Sequence, residues 1–334
     1  MTIGTVGTNF IVDRFIEAAR ASGADVSAVY SRNGETARAF AGRHGVAAWY
    51  DDRAAFLNSA LDFIYVAAPN SLHYEWSRDA LNAGRNVICE KPFVSNAAEL
   101  ETLIALAKSR KRFLFEALTV PHLPNFRLIR ETLPRLGTIR FVQLAFSQYS
   151  SRYGAFLEGK NPNLFNPEFS GGALMDLNYY NLCLIQRLFG MPEEIRYFAN
   201  KAENGVDISG ILILRYDGFI ASAAAAKDSD GKNFVQIQGE AGSLYAASPS
   251  SNLSGGFVLH TRTGKTPAGE TYNAQEYENV LRYEAADFAV AFAAGDPGVC
   301  GEPLADALCA ARLMDRARKD AGIVFPADAG RQAG

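Results

Sequence analysis

At 334 residues the chain exceeds what one typical core organises, so two domains are expected. Apolar residues make up 48% and charged residues 21%, and a net charge of -3 gives no electrostatic case for nucleic acid or an anionic membrane as partner. Four cysteines (Cys89, Cys183, Cys300 and Cys309) show no CxxC pair and no histidine at ligand spacing, no apolar run approaches membrane-spanning length, and Met1 leaves no room for a signal peptide, so buried thiols, no metal and a cytoplasmic protein are expected.

The first part of the chain alternates strand and helix. Thr2 to Val6 reads as a strand, Ile11 to Ala21 as a helix, and Val26 to Tyr30 as a second strand. A helix from Glu35 to His44 ends at Gly45, and a short strand follows near Ala47 to Tyr50. Phe63 to Ala67 is a fourth strand broken by Pro69, before a helix from Leu72 to Ala83 closing on Gly84. The apolar run of the Val87 to Glu90 strand stops at Glu90-Lys91-Pro92. Ser95 is placed to cap a helix from Asn96 to Arg110, and Phe113 to Ala117 supplies a sixth strand. Such alternation predicts a parallel, doubly wound α/β sheet over residues 1–120.

Residues 121–334 read differently, as an α+β domain on a mostly antiparallel, open sheet. A long strand from Thr138 to Tyr149 precedes a Pro- and Asn-rich loop, Lys160 to Pro167. Gly171-Gly172 opens a helix ending at Gly190. From Glu194 to His260 strands are joined by tight turns, with Asp217-Gly218 the best hairpin signal. Helices from Gln275 to Ala294 and Leu304 to Lys319, then a strand at Ile323 to Phe325, complete the expected elements.

Chemistry concentrates at the strand ends of the first part. Gly4 to Ile11 forms the first strand-to-helix turn, where a pyrophosphate would meet backbone N–H groups; Gly7, Thr8, Asn9, Phe10 and Ile11 are the candidate contacts. Read as G-x-G-x-x-G from Gly7, the motif has Asn9 at the second glycine and Val12 at the third. Asn tolerates positive φ, which lets the turn form while its side chain crowds the phosphates. A plain β–α turn is the alternative. The second strand ends in Ser31-Arg32 with no carboxylate for a ribose 2′-hydroxyl, which favours NADP over NAD; a solvated loop arginine is the bland reading. Ala68, Pro69, Asn70 and His73 follow the fourth strand, with Asn70 placed to bond a nicotinamide ribose, to cap the next helix, or both. Glu90 and Lys91 fall on the same sheet edge, where a lysine beside a carboxylate can hold a proton, position a hydroxyl or remain a structural charge pair.

With these pieces in order the chain resembles the glucose–fructose oxidoreductase / inositol dehydrogenase / rhizopine-catabolism (Gfo/Idh/MocA) family. The matching residues are the Gly7-Thr8 loop, Ser31-Arg32, Ala68 to His73, Glu90-Lys91-Pro92 and Gly171-Gly172-Ala173-Leu174-Met175-Asp176. The resemblance implies an N-terminal Rossmann NAD(P)-binding domain and a C-terminal sheet whose open face makes a homodimer or homotetramer. It also implies a small sugar, cyclitol or dihydrodiol-like substrate, oxidised at a hydroxyl with NADP, NAD being possible. The Lys of E-K-P is catalytic in the family, which carries over to Lys91. The family helix usually carries Asp-x-x-x-His, and here Asp176 and Tyr180 occupy those places. Tyr180 resembles the branch holding glucose–fructose oxidoreductase and the dihydrodiol and aldose dehydrogenases. Four residues apart on one helix face, the two are expected to meet Lys91, whose ammonium would turn a phenol of ordinary pKa about 10 into a usable acid–base group. Otherwise Tyr180 is one more core aromatic. Arg152, and more weakly Phe165 and Asn166, resemble substrate-pocket residues, Arg152 being equally readable as a solvated turn. Two alternatives accompany this function: a nucleotide-sensing regulator without turnover, and a nicotinamide-dependent glycoside hydrolase.

Overall fold

The structure is a computed structural model describing residues 1–263 and 266–331. In chain order the first elements are β1 (Thr2–Val6), α1 (Phe10–Ala21), β2 (Asp25–Tyr30), α2 (Gly34–His44), β3 (Ala48–Tyr50) and α3 (Arg53–Asn58). Next come β4 (Phe63–Val66), α4 (His73–Asn82), β5 (Asn86–Glu90), α5 (Ala97–Arg110) and β6 (Leu114–Ala117). The chain continues through α6 (Pro124–Thr132), β7 (Ile139–Ser147), α7 (Tyr153–Leu157) and a π-helical segment, Leu174–Asn178, that runs into α8 (Tyr179–Phe189). Strands β8 (Glu194–Lys201), β9 (Asp207–Tyr216), β10 (Phe219–Ala226), β11 (Phe234–Gly239), β12 (Gly242–Ala246), β13 (Phe257–Thr263) and β14 (Thr266–Tyr272) follow. Helices α9 (Leu281–Ala293) and α10 (Gly301–Ala321) come last.

The chain divides into two compact units, residues 1–118 with 277–308, and residues 119–276 with 309–334. The first is built on a parallel sheet in the order β3-β2-β1-β4-β5-β6. Its central strands are continuous apolar runs because both faces are covered: Phe63, Ile64, Tyr65 and Val66 of β4 and Val87, Ile88 and Cys89 of β5 are wholly buried. Segment 277–308, expected in the second domain, belongs to this unit. Phe288 stacks on Phe115 at 4.7 Å, and Phe292 meets Phe63 edge-on at 5.1 Å. Helix α9 starts at Leu281 rather than Gln275. The reason is Asn279, whose side chain bonds the Arg14 carbonyl at 3.0 Å and holds the preceding residues against α1.

The second unit carries an eight-stranded sheet in the order β14-β13-β12-β11-β7-β10-β9-β8. Among the described residues only β7 and β10 pair in parallel in this sheet; the other pairs are antiparallel, in keeping with the expected α+β architecture. Asp217-Gly218 makes the two-residue hairpin between β9 and β10, with Gly218 at φ 84°. Ile323 to Phe325 forms no strand. The Phe325 N–H instead donates to Asp328, whose carboxylate pairs with Arg318 at 2.7 Å. Helix α5 is capped by Asn96 rather than Ser95; the Asn96 side chain accepts from the Glu99 N–H while the Ser95 N–H donates to the Glu99 carboxylate. The second domain was expected to run to residue 334, of which 332–334 lie outside the described residues. No helix among the described residues is long and apolar enough to cross a membrane, and the four thiols are free.

Candidate functional site

In the first unit the strand order reverses between β1 and β4, and the loops leaving their carboxyl ends hold the residues expected to bind a nucleotide. Gly7 turns the chain at φ 108°, and a Cβ there would stand 2.6 Å from the Ala67 carbonyl oxygen. Only glycine fits. Thr8 follows Gly7, and Phe10 and Ile11 open α1, with Phe10 two-thirds exposed at 68%. Asn9 does not take the positive φ expected of a glycine substitute. It is extended, at φ -87°, because it is the N-cap of α1: Oδ1 accepts from the Val12 N–H at 3.3 Å, and Nδ2 donates to the Ala67 carbonyl at 3.2 Å. Its side chain thereby secures the turn to the β4 loop.

Ser31 and Arg32 leave β2 just ahead of Asn33, which caps α2; Arg32 is exposed. Ala68 and Pro69 follow β4, and Asn70 opens a single 3₁₀ turn, Asn70–Leu72. The cap of α4 is Leu72, not Asn70. His73 is 1% exposed, with Nδ1 2.9 Å from the Pro92 carbonyl and Nε2 2.8 Å from that of Ala68. Both partners are acceptors, so the neutral ring donates from its one N–H to one of the two carbonyls, of the loop after β4 or of the loop after β5, and only the imidazolium would bond both. Burial holds its imidazole below the ordinary histidine range.

Glu90 ends β5 inside the protein. The Tyr65 hydroxyl donates to its Oε1 at 2.5 Å, and the Lys91 N–H to its Oε2 at 3.2 Å. Burial pushes its carboxyl up to about 7 despite Tyr65 and the neighbouring Lys91 ammonium. Behind it stands Glu284 of α9, completely buried, with neither oxygen hydrogen-bonded. Burial, then repulsion from Glu90 and Glu116, drives the Glu284 carboxyl well above the usual range. Lys91 itself, half-buried, precedes Pro92 across a cis peptide. The acidic floor was not anticipated beyond Glu90, since nothing in the α9 sequence marks Glu284 as inward-facing charge.

In the second unit the double glycine opens the helix for steric reasons. A Cβ on Gly171 would lie 2.7 Å from the Asn163 carbonyl oxygen, and one on Gly172, at φ 120°, would run into Asp207 Oδ1. Asp207 is buried and accepts from the Leu174 N–H at 2.6 Å and the Tyr197 hydroxyl at 2.7 Å, anchoring the helix start from β9. The expected continuous α-helix is π-wound over Leu174–Asn178, a wide turn of the kind that recurs at functional sites. Asn178 and Asn181 then tie the helix to the Ala223 and Ala224 carbonyls of β10, at 2.9 and 3.2 Å.

Asp176 lies within the wide turn and Tyr180 just beyond it. Tyr180 is half-buried, with its ring 6.0 Å from that of Phe146. Asp176 forms an ion pair with Lys227, a residue the sequence reading passed over, whose side chain is 2% exposed. Lys227 also stands 5.3 Å from the ring centre of Phe165. Phe165 is wholly buried, stacked on Phe156 at 5.0 Å and beside Tyr153 at 5.5 Å, and Asn166 caps the short turn Pro167–Phe169. Both therefore have a packing role that explains them without a ligand. Arg152 is exposed at the start of α7. A signal for Lys227 was present: Ala223 to Ala226 stops abruptly at Lys227-Asp228, just as the β5 run stops at Glu90-Lys91.

The switch point, the glycine turn and the helix beginning at Phe10 define a dinucleotide-binding domain of Rossmann type, and Ser31 with Arg32 at the end of β2 fits a nucleotide carrying a 2′-phosphate. Sequence comparison names the group to which it belongs. Residues 1–118 match the family model of the oxidoreductase family with NAD-binding Rossmann fold, and residues 127–245 match the GFO/IDH/MocA C-terminal domain. The chain is a member of the Gfo/Idh/MocA oxidoreductase family. It is 39% identical over 329 residues to the uncharacterized oxidoreductase YgjR of Escherichia coli (strain K12), with 97% of each chain covered. It is 36% identical over 333 residues to the scyllo-inositol 2-dehydrogenase (NADP(+)) IolU of Bacillus subtilis (strain 168), covering 97% of this chain and 98% of that one. The same fold occurs in KijD10, a 3-ketoreductase from Actinomadura kijaniata solved with NADP and TDP-benzene, at a TM-score of 0.85 and 24% identity over 96% of this chain and 97% of that one.

Proposed function

We propose that the protein is an NADP(H)-dependent dehydrogenase or reductase acting on a secondary alcohol, or its carbonyl, in a sugar, cyclitol or dihydrodiol-like substrate. The observation that carries this reading is the strand end at Glu90-Lys91, on the same sheet edge as the Gly7 turn, in a chain alike over nearly its whole length to an NADP-dependent cyclitol dehydrogenase. Gly7, Thr8, Asn9, Phe10 and Ile11 would receive the pyrophosphate, Ser31 and Arg32 the 2′-phosphate, and Ala68, Pro69 and Asn70 the nicotinamide ribose, with His73 and Glu90 holding their loops in place. When bound, the nucleotide supplies or accepts the hydride. Lys91 orients the substrate hydroxyl and favours the ionised form of the phenol, Tyr180 exchanges the hydroxyl proton, and Asp176 accepts a hydrogen bond from the substrate. Arg152 is a candidate contact to further hydroxyls.

Tyr180→Phe and Lys91→Met should each lower turnover by about 100-fold or more while NADP(H) still binds. Wild-type turnover in both variants would overturn the mechanism. Paired titrations with NADP and NAD test the Ser31-Arg32 assignment, which tighter NAD binding would overturn. The proposed assembly is a homodimer, or a tetramer built from it, through the open sheet face carrying Phe198 (67% exposed), Ile211 (46%) and Ile220 (46%).

A further inference from the structure

Lys227 has no role in the mechanism just given, yet it is among the most deeply buried charges in the second unit. Its side chain is 2% exposed, it stands at the end of β10, and its ammonium is ion-paired with Asp176 Oδ2. The face of Phe165, itself wholly buried against Phe156 and Tyr153, closes another side of the ammonium at 5.3 Å. An ammonium in such a place must be paired, because removing it from water unpaired is prohibitive. A buried pair of this kind adds little stability over a well-packed apolar substitute, and in some proteins such pairs serve to fix one geometry. The group fixed here is Asp176, whose side chain keeps 24% of its surface exposed and which sits in the π-wound turn one turn ahead of Tyr180.

We propose that Lys227 is a positioning residue for the dehydrogenase reaction: it keeps Asp176 ionised and in one rotamer, so that the carboxylate accepts a hydrogen bond from a substrate hydroxyl beside the reacting carbon. This inference rests on the function proposed above. Lys227 touches no substrate; it acts through Asp176, and a mispositioned contact of that kind costs about 100-fold in rate. Titratable groups near the pair among the described residues include Asp207 on β9 with the Tyr197 hydroxyl bonded to it, Asp228 following Lys227, and Tyr180. Asp207 and Tyr197 are acids, neutral or negative at any pH, so neither can replace the Lys227 ammonium as counter-charge to Asp176.

The test uses the full chain with NADP and scyllo-inositol as probe, in wild type, Lys227→Met, Lys227→Arg, Asp176→Asn and the double variant Lys227→Met/Asp176→Asn. The double variant leaves no unpaired buried charge and guards against misfolding of the single ones. Expected is a loss of about 100-fold in kcat/KM for Lys227→Met, a similar loss for Asp176→Asn and no further loss in the double variant, with NADP binding unchanged throughout. Lys227→Arg should recover part of the activity. The acid limb of the kcat/KM profile should move to higher pH in Lys227→Met, because Asp176 loses its counter-charge. Multiplicative losses in the double variant, or an unmoved acid limb, would overturn the proposal. Should wild type oxidise neither the probe nor any other sugar or cyclitol, the proposed function fails on its own. The inference is then decided by carboxyl carbon NMR of labelled aspartate: an Asp176 titration midpoint that rises in Lys227→Met supports it, and an unchanged midpoint refutes it.

Discussion

Glu90→Gln should make the first unit more stable as pH rises, relative to wild type. Glu90 is buried with its carboxyl raised from 4.5 to about 7. A raised carboxyl means that the folded unit holds its proton more tightly than the unfolded chain. Its contribution to stability is therefore complete below pH 4.5 and is lost as pH climbs to about 7, opposite to the behaviour of a salt-bridged carboxylate. Some 2.5 units at 1.36 kcal/mol each put the loss at ~3 kcal/mol between pH 4.5 and 8, as an order of magnitude. Glutamine does not titrate, so this loss disappears. It can still accept from the Tyr65 hydroxyl, but its amide would face the Lys91 N–H, a pH-independent cost of roughly 1–3 kcal/mol. What distinguishes the argument is thus the slope of the difference between variants with pH, not its value at any one pH. Above pH 7 a second gain follows, since ionised Glu90 is one of the charges repelling Glu284. Both tryptophans, Trp49 and Trp76, lie in this unit, so urea unfolding followed by tryptophan fluorescence reports it selectively. Over that pH range the midpoint of Glu90→Gln should gain about 1 M urea or more on wild type. Parallel midpoint curves from pH 5 to 8 would refute the reasoning.

Gly172→Ala should destabilise the second unit by about 2–3 kcal/mol, since a Cβ there meets Asp207 Oδ1 at φ 120°; Gly23→Ala, at φ 80° with open space around it, should cost about 1 kcal/mol, and equal losses in thermal unfolding would contradict the steric argument. Ile211→Lys on the open sheet face should shift sedimentation towards the monomer without lowering thermal stability of the subunit, whereas an unchanged sedimentation coefficient would remove that face from the assembly.

Most of the first sheet was legible because a parallel strand buried on both faces announces itself as an unbroken apolar run, as Phe63 to Val66 and Val87 to Cys89 do. Less legible were the elements that owe their form to one distant partner. Strand β14 reads Thr-Pro-Ala-Gly-Glu-Thr-Tyr, poor in strand formers, and exists because β13 offers it an edge. Ile323 and Phe325 alternate like a strand but have no strand beside them, and Arg318 with Asp328 folds that segment back instead. Helix α3 spans six residues held by a cap at each end, Asp52 accepting from the Ala55 N–H and Ser59 donating to the Phe56 carbonyl.

The two strand-end lysines show where sequence alone stops for the site. Val87-Ile88-Cys89-Glu90-Lys91 and Ala224-Ala225-Ala226-Lys227-Asp228 share one pattern, an apolar run ending in a cation beside a carboxylate. In the first the carboxylate turns inward to Tyr65 and the lysine stays half-buried at the sheet edge. In the second the lysine turns inward and finds a carboxylate 51 residues away. Which of the two charges goes in is decided by what waits there. Beneath β5 stand a phenol able to donate and further carboxyls able to stay protonated, which can accept a carboxyl but would leave an ammonium with acidic partners it would have to ionise. At the end of β10 stand an aromatic face and Asp176, which suit an ammonium. The pattern identifies a strand end where chemistry is possible; only the groups that the fold brings to it determine whether the lysine is presented to a ligand or committed to orienting another residue.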